Sequence, residues 1–432
     1  MKKIHFASFV QHSPNNQYPI VWRHPRTRRG FEWNRPEIFE EIAAISERGK
    51  FDMMFAADTL GIGTTHGGSI ASSVKNGFIG PIHDSFTLMA LLAGKTKHIG
   101  LGATMSTSFY PPYLLARMTA TLDHLSRGRF AWNVVTSSSD AEAQNFGLDK
   151  MYSHAERYER ADEFLELCYQ LWESWEEDAV LEDRENGIFA DPSKVKHINF
   201  SGKYFKSKGP LNVTRSPQGR PAIIQAGSSD SGKDLAAKHA EVIFALLPNI
   251  DTMKAFYDDV KGRMIKFGRN PDDAKILFGV QPIVGETEEI AHIKRQIVAS
   301  YGTAEIGLMI LSTGLGIDFS KFDLDQPLSQ DLQTEGLTST LKMFNKSDTL
   351  RDAAKHMAST GALSMVGTGE QVAEEMETAM REIGGDGFMI QSAFWPSALT
   401  EFVEMVIPIL QDKGLHRKEY TGKTLKDHIL EY

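Results

Sequence analysis

Eight short apolar runs, most of them followed by an amphipathic stretch, leave this chain few architectures to choose from. The runs are Ile4–Val10, Phe51–Ala57, His98–Thr104, Phe130–Thr136, Ala222–Ala226, Val242–Leu246, Ile276–Val284 and Gly387–Gln391. Such runs, bounded by turn residues, read as strands buried on both faces. Between them lie helical patterns: Pro36–Arg48 after a cap at Asn34, Ser85–Ala93, Tyr113–Leu125 closed by Gly128, and a long helix from His154. Further patterns follow Gly232 and Ile250, and occupy Glu288–Ser300 and Glu370–Ile383. Alternating βα units argue for a parallel sheet with its helices outside, and eight of them for a closed (β/α)8 TIM barrel.

A plain barrel takes roughly 250 residues, and this chain has 432. The surplus is expected in long insertions in the βα loops. Residues 59–84 are Gly/Ser/Thr-rich, 177–220 are charged and then Lys/Gly/Pro-rich, and 312–362 are polar. The expected organisation is a single barrel domain over 1–432 with these insertions and a C-terminal tail, 414–432. Composition leaves open whether that tail wraps a neighbouring subunit. Loops of this length serve as lids or binding loops, and 312–362 is the candidate lid.

A formal charge of −9 argues against nucleic acid as the main partner. No apolar stretch reaches the length of a membrane span, and the run after Lys2-Lys3 is too short for a signal peptide. The one cysteine, Cys168, cannot form an internal disulfide and reads as a small core residue, so a cytoplasmic location is expected. The 14 histidines form neither His-x-His nor His-Glu-x-x-His, so no metal site is expected.

Barrel active sites sit where strands end and βα loops begin. Asp58 follows the second run, Thr104 ends the third, and Asn133, Thr136 and Ser137 end the fourth. Asp58 could equally cap a turn, and Thr104 could serve only as a β-branched strand residue. Their shared placement favours a site. Ser153-His154-Ala155-Glu156-Arg157-Tyr158 starts the long helix, with Ser153 and Glu156 spaced as a capping box. His154 and Tyr158, four apart, share one helix face. Free amides, the positive dipole end, an imidazole and a phenol together suit a phosphate. Gly227-Ser228-Ser229-Asp230-Ser231-Gly232 is a second loop running into a helix, able to hold phosphate on backbone amides. It lacks the Gly-Lys-Ser/Thr ending of a Walker loop. The dinucleotide fingerprint is absent too, because Gly61-x-Gly63 fails at His66 and Gly314-x-Gly316 fails at Phe319. A self-contained NAD-binding domain is therefore not expected. Asp123 and His124, near a helix end, read as solvated. Arg23, Arg26, Arg28, Arg29 and Arg35 follow the first strand and could receive an anionic substrate, or form a solvated loop or a subunit contact.

Several segments carry a family resemblance over nearly the whole chain. They are Trp22-Arg23-His24-Pro25, Phe55-Ala56-Ala57-Asp58, the run Gly128–Ser137, Asn145-Phe146-Gly147, His154-x-x-x-Tyr158, Gln225-Ala226-Gly227-Ser228 and the run Val366–Ala373. In these the chain resembles the bacterial-luciferase-like FMN-dependent monooxygenases. The subgroup is that of nitrilotriacetate monooxygenase, dibenzothiophene-sulfone monooxygenase and pristinamycin synthase. The resemblance implies a (β/α)8 barrel with FMN at the strand C-terminal ends. It implies FMN contacts at Asp58, Thr104, His154, Tyr158 and Ser228. The chemistry of the residues adds Gly227 to the phosphate group and Asn133 as a further polar contact.

The implied activity is a two-component oxygenase. Reduced FMN (FMNH2) comes from a separate NAD(P)H:flavin reductase, and O2 is the co-substrate. The substrate is a small organic molecule containing nitrogen or sulfur, and a homodimer is expected from related barrels. No catalytic acid or base can be named, His12 and His24 being the candidates. Two other readings remain: a sugar-phosphate aldolase or isomerase on the same barrel, and a non-catalytic FMN-binding protein.

Overall fold

The computed structural model describes residues 2–16, 20–27, 32–327, 348–359 and 362–432. Eight parallel strands form a ring: β1 (His5–Gln11), β2 (Met53–Ala57), β3 (Gly100–Ser106), β4 (Phe130–Val135), β5 (Ala222–Gln225), β6 (Val242–Ala245), β7 (Lys275–Val284) and β8 (Gly387–Ile390). Each pairs with the next, and β8 closes on β1 with His5 opposite Gly387. All eight expected strands are present, each shifted by no more than two residues at its start or end.

Alternation along each strand separates two cores. Ala7, Phe9, Met53, Phe55, Ala131, Ile224, Phe244, Leu277 and Met389 fill the ring. Phe6, Met54, Leu101, Phe130, Trp132, Ile223 and Phe278 face the surrounding helices. Cys168 lies in that outer core, fully buried, where desolvation pushes its thiol well up.

One strand of the large sheet was not expected from the sequence. Leu363–Gly367 pairs with the second half of β7, Val280–Val284, and lies outside the ring. It is short and only partly apolar, so periodicity does not reveal it. The helix expected after an Asn34 cap begins instead at Glu37, behind Pro36, with no side-chain cap.

The described parts of the insertions hold local structure. Residues 59–84 contain the helix Ala71–Asn76. Residues 177–220 contain two small antiparallel pairs, Val180–Asp183 with Ile188–Ala190 and Phe200–Ser201 with Lys206–Ser207. The candidate lid 312–362 begins within the helix Ala304–Leu315 and includes the helix Leu350–Ser359. These two helices cross so closely that a Cβ on Gly307 would sit 1.7 Å from the Ala354 carbonyl oxygen. Residues 328–347, 360 and 361 of that segment lie outside the described residues.

The tail packs on its own barrel. Leu425 and Ile429 join the apolar cluster inside the ring, and a Cβ on Gly100 would lie 2.5 Å from Leu425. Arg417 is buried and donates to Asp52 (2.7 Å) and to the His428 carbonyl (2.8 Å). Asp52 also pairs with His5 at 2.9 Å and accepts from the Phe6 amide at 2.8 Å. The tail thus plugs the end where strands begin and leaves the other end for chemistry.

Candidate active site at the strand C-terminal ends

The long helix starts where the sequence placed it, at His154. The Ser153 hydroxyl accepts from the Glu156 amide at 3.3 Å. The return bond from Glu156 is not made, so this is a simple N-cap and not the expected capping box. His154 and Tyr158 lie against each other, ring centroids 4.8 Å apart.

The second loop-to-helix junction arrives at the same place. Ser229 caps the helix Asp230–His239 by accepting from the Gly232 amide. A Cβ on Gly232 would meet Gly227 at 3.0 Å and the Tyr158 hydroxyl at 3.1 Å. Glycine at 232 therefore lets the Gly227 loop, the new helix and the Tyr158 phenol converge. The Gly227 amide is already used by Gln225 at 2.6 Å, which leaves Ser228 to present its amide and hydroxyl. Both helices are locked together behind the site, where Asp162 binds His239 (2.7 Å) and Lys238 (2.9 Å).

Carboxylates around this junction are partly neutralised. Arg263 engages Asp230, Asp234 and Asp259 at 2.7–2.8 Å, and Lys233 also pairs with Asp259. These cations weaken the repulsion that the carboxylates would exert on an anion at the positive end of the helix.

The ring wall beside it is polar. Thr104 and Asn133 are register partners on β3 and β4. Asn133 donates to the Thr104 hydroxyl (3.0 Å), which donates to the Ala56 carbonyl (2.9 Å). The Asn133 Oδ1 is buried and has no protein partner. Asp58 accepts from the amides of Ser85 and Thr59, both at 2.8 Å. Asp58, Thr104, Ser137 and Glu142 line one cleft. All seven sequence-predicted residues therefore lie at the ends of β2 to β5 or in the loops and helix starts that follow.

Two contributors to this wall were not foreseen. Glu142, buried, accepts from the Thr59 hydroxyl and the Leu60 amide, both at 3.0 Å. Arg157, also buried, donates to the Ser137 carbonyl and braces the end of β4. In the sequence both look like solvated charges in a first helical turn; only their spacing near His154 and Ser137 hinted otherwise.

Other expectations shift. Asp123 is buried, accepting from Gln218 (2.6 Å) and the Phe130 amide (3.3 Å), and is not solvated. Of the arginine cluster, Arg26 pairs with Glu401, Arg35 with Glu32, and Arg23 lies over the Tyr301 ring. Arg28 and Arg29 lie outside the described residues. His12 and His24 are each pushed down to about 4, mainly by burial, and are neutral at physiological pH.

Burial pushes the Asp58 carboxyl up to about 6. The folded chain holds that proton more tightly than the unfolded chain. Asp58 therefore adds stability below about pH 4 and loses it as pH rises through about 6. Against Asp58→Asn, the wild type should lose up to about 3 kcal/mol of relative stability between pH 4 and pH 7. Urea unfolding across that range checks this, and parallel curves would refute it.

Residues 1–387 match the family model described as luciferase-like monooxygenase. The chain is 40% identical over 439 residues to a dibenzothiophene-sulfone monooxygenase of Rhodococcus erythropolis (strain XP), covering 99% of this chain and 96% of that one. It is 40% identical over 427 residues to nitrilotriacetate monooxygenase component A of Aminobacter aminovorans, covering 94% and 92%. A riboflavin lyase crystallised with modified FMN and riboflavin superposes with a TM-score of 0.94 at 32% identity, over 100% of this chain and 96% of that one. With the barrel and its rim matched along nearly their whole length, this chain belongs to the luciferase-like monooxygenase family.

Proposed function

We propose that the chain is the oxygenase component of a two-component system, using FMN reduced by a separate NAD(P)H:flavin reductase. The observation that carries this is the meeting of the Tyr158 hydroxyl with the Gly227–Gly232 junction, two βα units converging on one anion-sized place. The residues fit a mononucleotide. Tyr158 and Ser228 would donate to its phosphate, with His154 alongside and the helix Asp230–His239 adding its dipole. The unpartnered Asn133 Oδ1 would accept a hydrogen bond from the ribityl chain or ring. When bound, reduced FMN supplies the activation of O2. The chain's own task is to hold that group at the barrel mouth, position a substrate beside it and exclude water.

The relative named component A supports a division of labour between proteins. The substrate is read as a small molecule containing nitrogen or sulfur. A homodimer in the cytoplasm completes the reading. Among the described residues no single helix is long and apolar enough to cross a membrane.

The test pairs binding with turnover. Tyr158→Phe and Ser228→Ala should each raise the FMN dissociation constant about tenfold or more, each losing a hydrogen bond to a charged group. Unchanged affinity in both would remove them from the site. Purified chain with a flavin reductase, NADH and FMN should insert one isotopically heavy oxygen atom from O2 into a sulfone, thioether or aminopolycarboxylate substrate. Failure of the wild type to bind reduced FMN in an anaerobic titration would sink the assignment.

A further inference from the structure

The inner wall of the barrel opposite the phosphate junction holds a polar group with nothing to bind. Along β7 the inward row runs Leu277, Gly279, Gln281. Leu277 lies in the barrel interior, and a Cβ on Gly279 would strike Leu246, which packs on that interior. Gln281 is fully buried, and neither its Oε1 nor its Nε2 has a hydrogen-bond partner.

Directly beside it, in register on the flanking strand, is Ser364. Its hydroxyl is also buried and unpartnered. Register partners point to the same side of a sheet, so an amide and a hydroxyl share one spot at the rim. Buried polar side chains normally find partners, because leaving one unpaired costs free energy. A leucine at 281 would pack without that cost. The next inward position, Ile283, is apolar and sits in a cluster with Phe394 and Ala393.

Position and charge narrow what this pair could bind. Thr104 and Asn133 are on β3 and β4, and β7 lies on the other side of the ring. The rim on the β7 side is thus the space a flavin on the β2–β5 side leaves for substrate. Among the described residues nearby, Arg26 and Lys294 both pair with Glu401, Arg23 lies over the Tyr301 ring, and His24 is neutral. A carboxylate would leave the Gln281 Oε1 unpaired. A ligand edge with an acceptor beside a donor satisfies both ends of the amide.

We propose that Gln281, with Ser364 beside it, is a substrate subsite that reads a neutral amide- or ureide-type edge. The proposal rests on the flavin reading for which side of the barrel the substrate takes. The chemistry it assigns differs from the anionic group suggested by the arginine cluster.

The experiment uses the full chain, with and without FMN, and acetamide, methylurea and acetate as probes. Acetamide and methylurea should raise the thermal midpoint of the FMN-loaded wild type, and acetate should not. Gln281→Leu should abolish that rise, keep the FMN dissociation constant within twofold, and raise the midpoint of the protein without FMN. Ser364→Ala should weaken the amide response, and it carries the test if Gln281→Leu does not fold. Amide shifts that persist in Gln281→Leu, or an acetate shift as large as that of acetamide, would overturn the proposal. A wild type that ignores FMN yet answers amides through Gln281 would sink the flavin reading alone.

Discussion

Arg417→Leu should destabilise the folded chain by about 3–5 kcal/mol, the usual cost of removing one partner of a buried ion pair. Arg417 and Asp52 are both almost fully buried and sit 2.7 Å apart. Burial alone would raise the Asp52 carboxyl, but Arg417 and His5 reverse that and hold it well below the usual carboxylate range. A depressed folded value gives stability that is complete above the unfolded pKa and fades as pH falls below it. The gap between wild type and variant should therefore be widest near neutral pH and shrink below about pH 4. Chemical denaturation at several pH values measures it. The double variant Asp52→Leu, Arg417→Leu should recover part of the loss, since the buried Asp52 charge is then not left alone. A single variant as stable as wild type would show that the tail is held by Leu425 and Ile429 only.

Gly232→Val should raise the FMN dissociation constant about a hundredfold while leaving the barrel folded. Its side chain would need the space now shared by Gly227 and the Tyr158 hydroxyl, both already within 3.0–3.1 Å of the first added carbon. The Gly227 backbone cannot swing away like a flexible side chain, so the junction must open. A phosphate held from both sides then loses one set of donors. Two charge-assisted hydrogen bonds lost amount to about 3 kcal/mol or a factor of about a hundred. Fluorescence titration of FMN, with far-ultraviolet circular dichroism as the folding control, decides the matter. Wild-type affinity in Gly232→Val would mean that the two junctions do not share a ligand.

Much of this architecture is written in local patterns. Strands buried on both faces leave unbroken apolar runs, so the eight barrel strands were legible, and eight βα repeats imply closure. The flanking strand Leu363–Gly367 was not, because three of its five residues are only partly buried and its pattern is weak. Helix starts carry their own signals, which is why Ser153 stands where expected, whereas the helix expected after Gly232 starts earlier, at Asp230 behind a Ser229 cap. Asn34 shows the limit: a good cap residue two positions before a proline gives way to the turn that the proline favours.

Long-range partnerships were not legible. Nothing near Asp123 in sequence announces Gln218, and nothing near Arg26 announces Glu401. Glu142 and Gln281 look alike in one dimension, a polar residue near a strand end. Only the packed chain shows that one is hydrogen-bonded and the other is not.

The interlock of His5, Asp52 and Arg417 also bears on how the chain is made. β1 waits for β8, more than three hundred residues later, before its outer edge is paired. The base of the ring waits still longer for the Leu425–Leu430 helix. A ribosome-bound fragment lacking those segments would expose an open sheet edge and an uncovered apolar floor, both prone to self-association. Such early strands would gain from a chaperone that shields them until release.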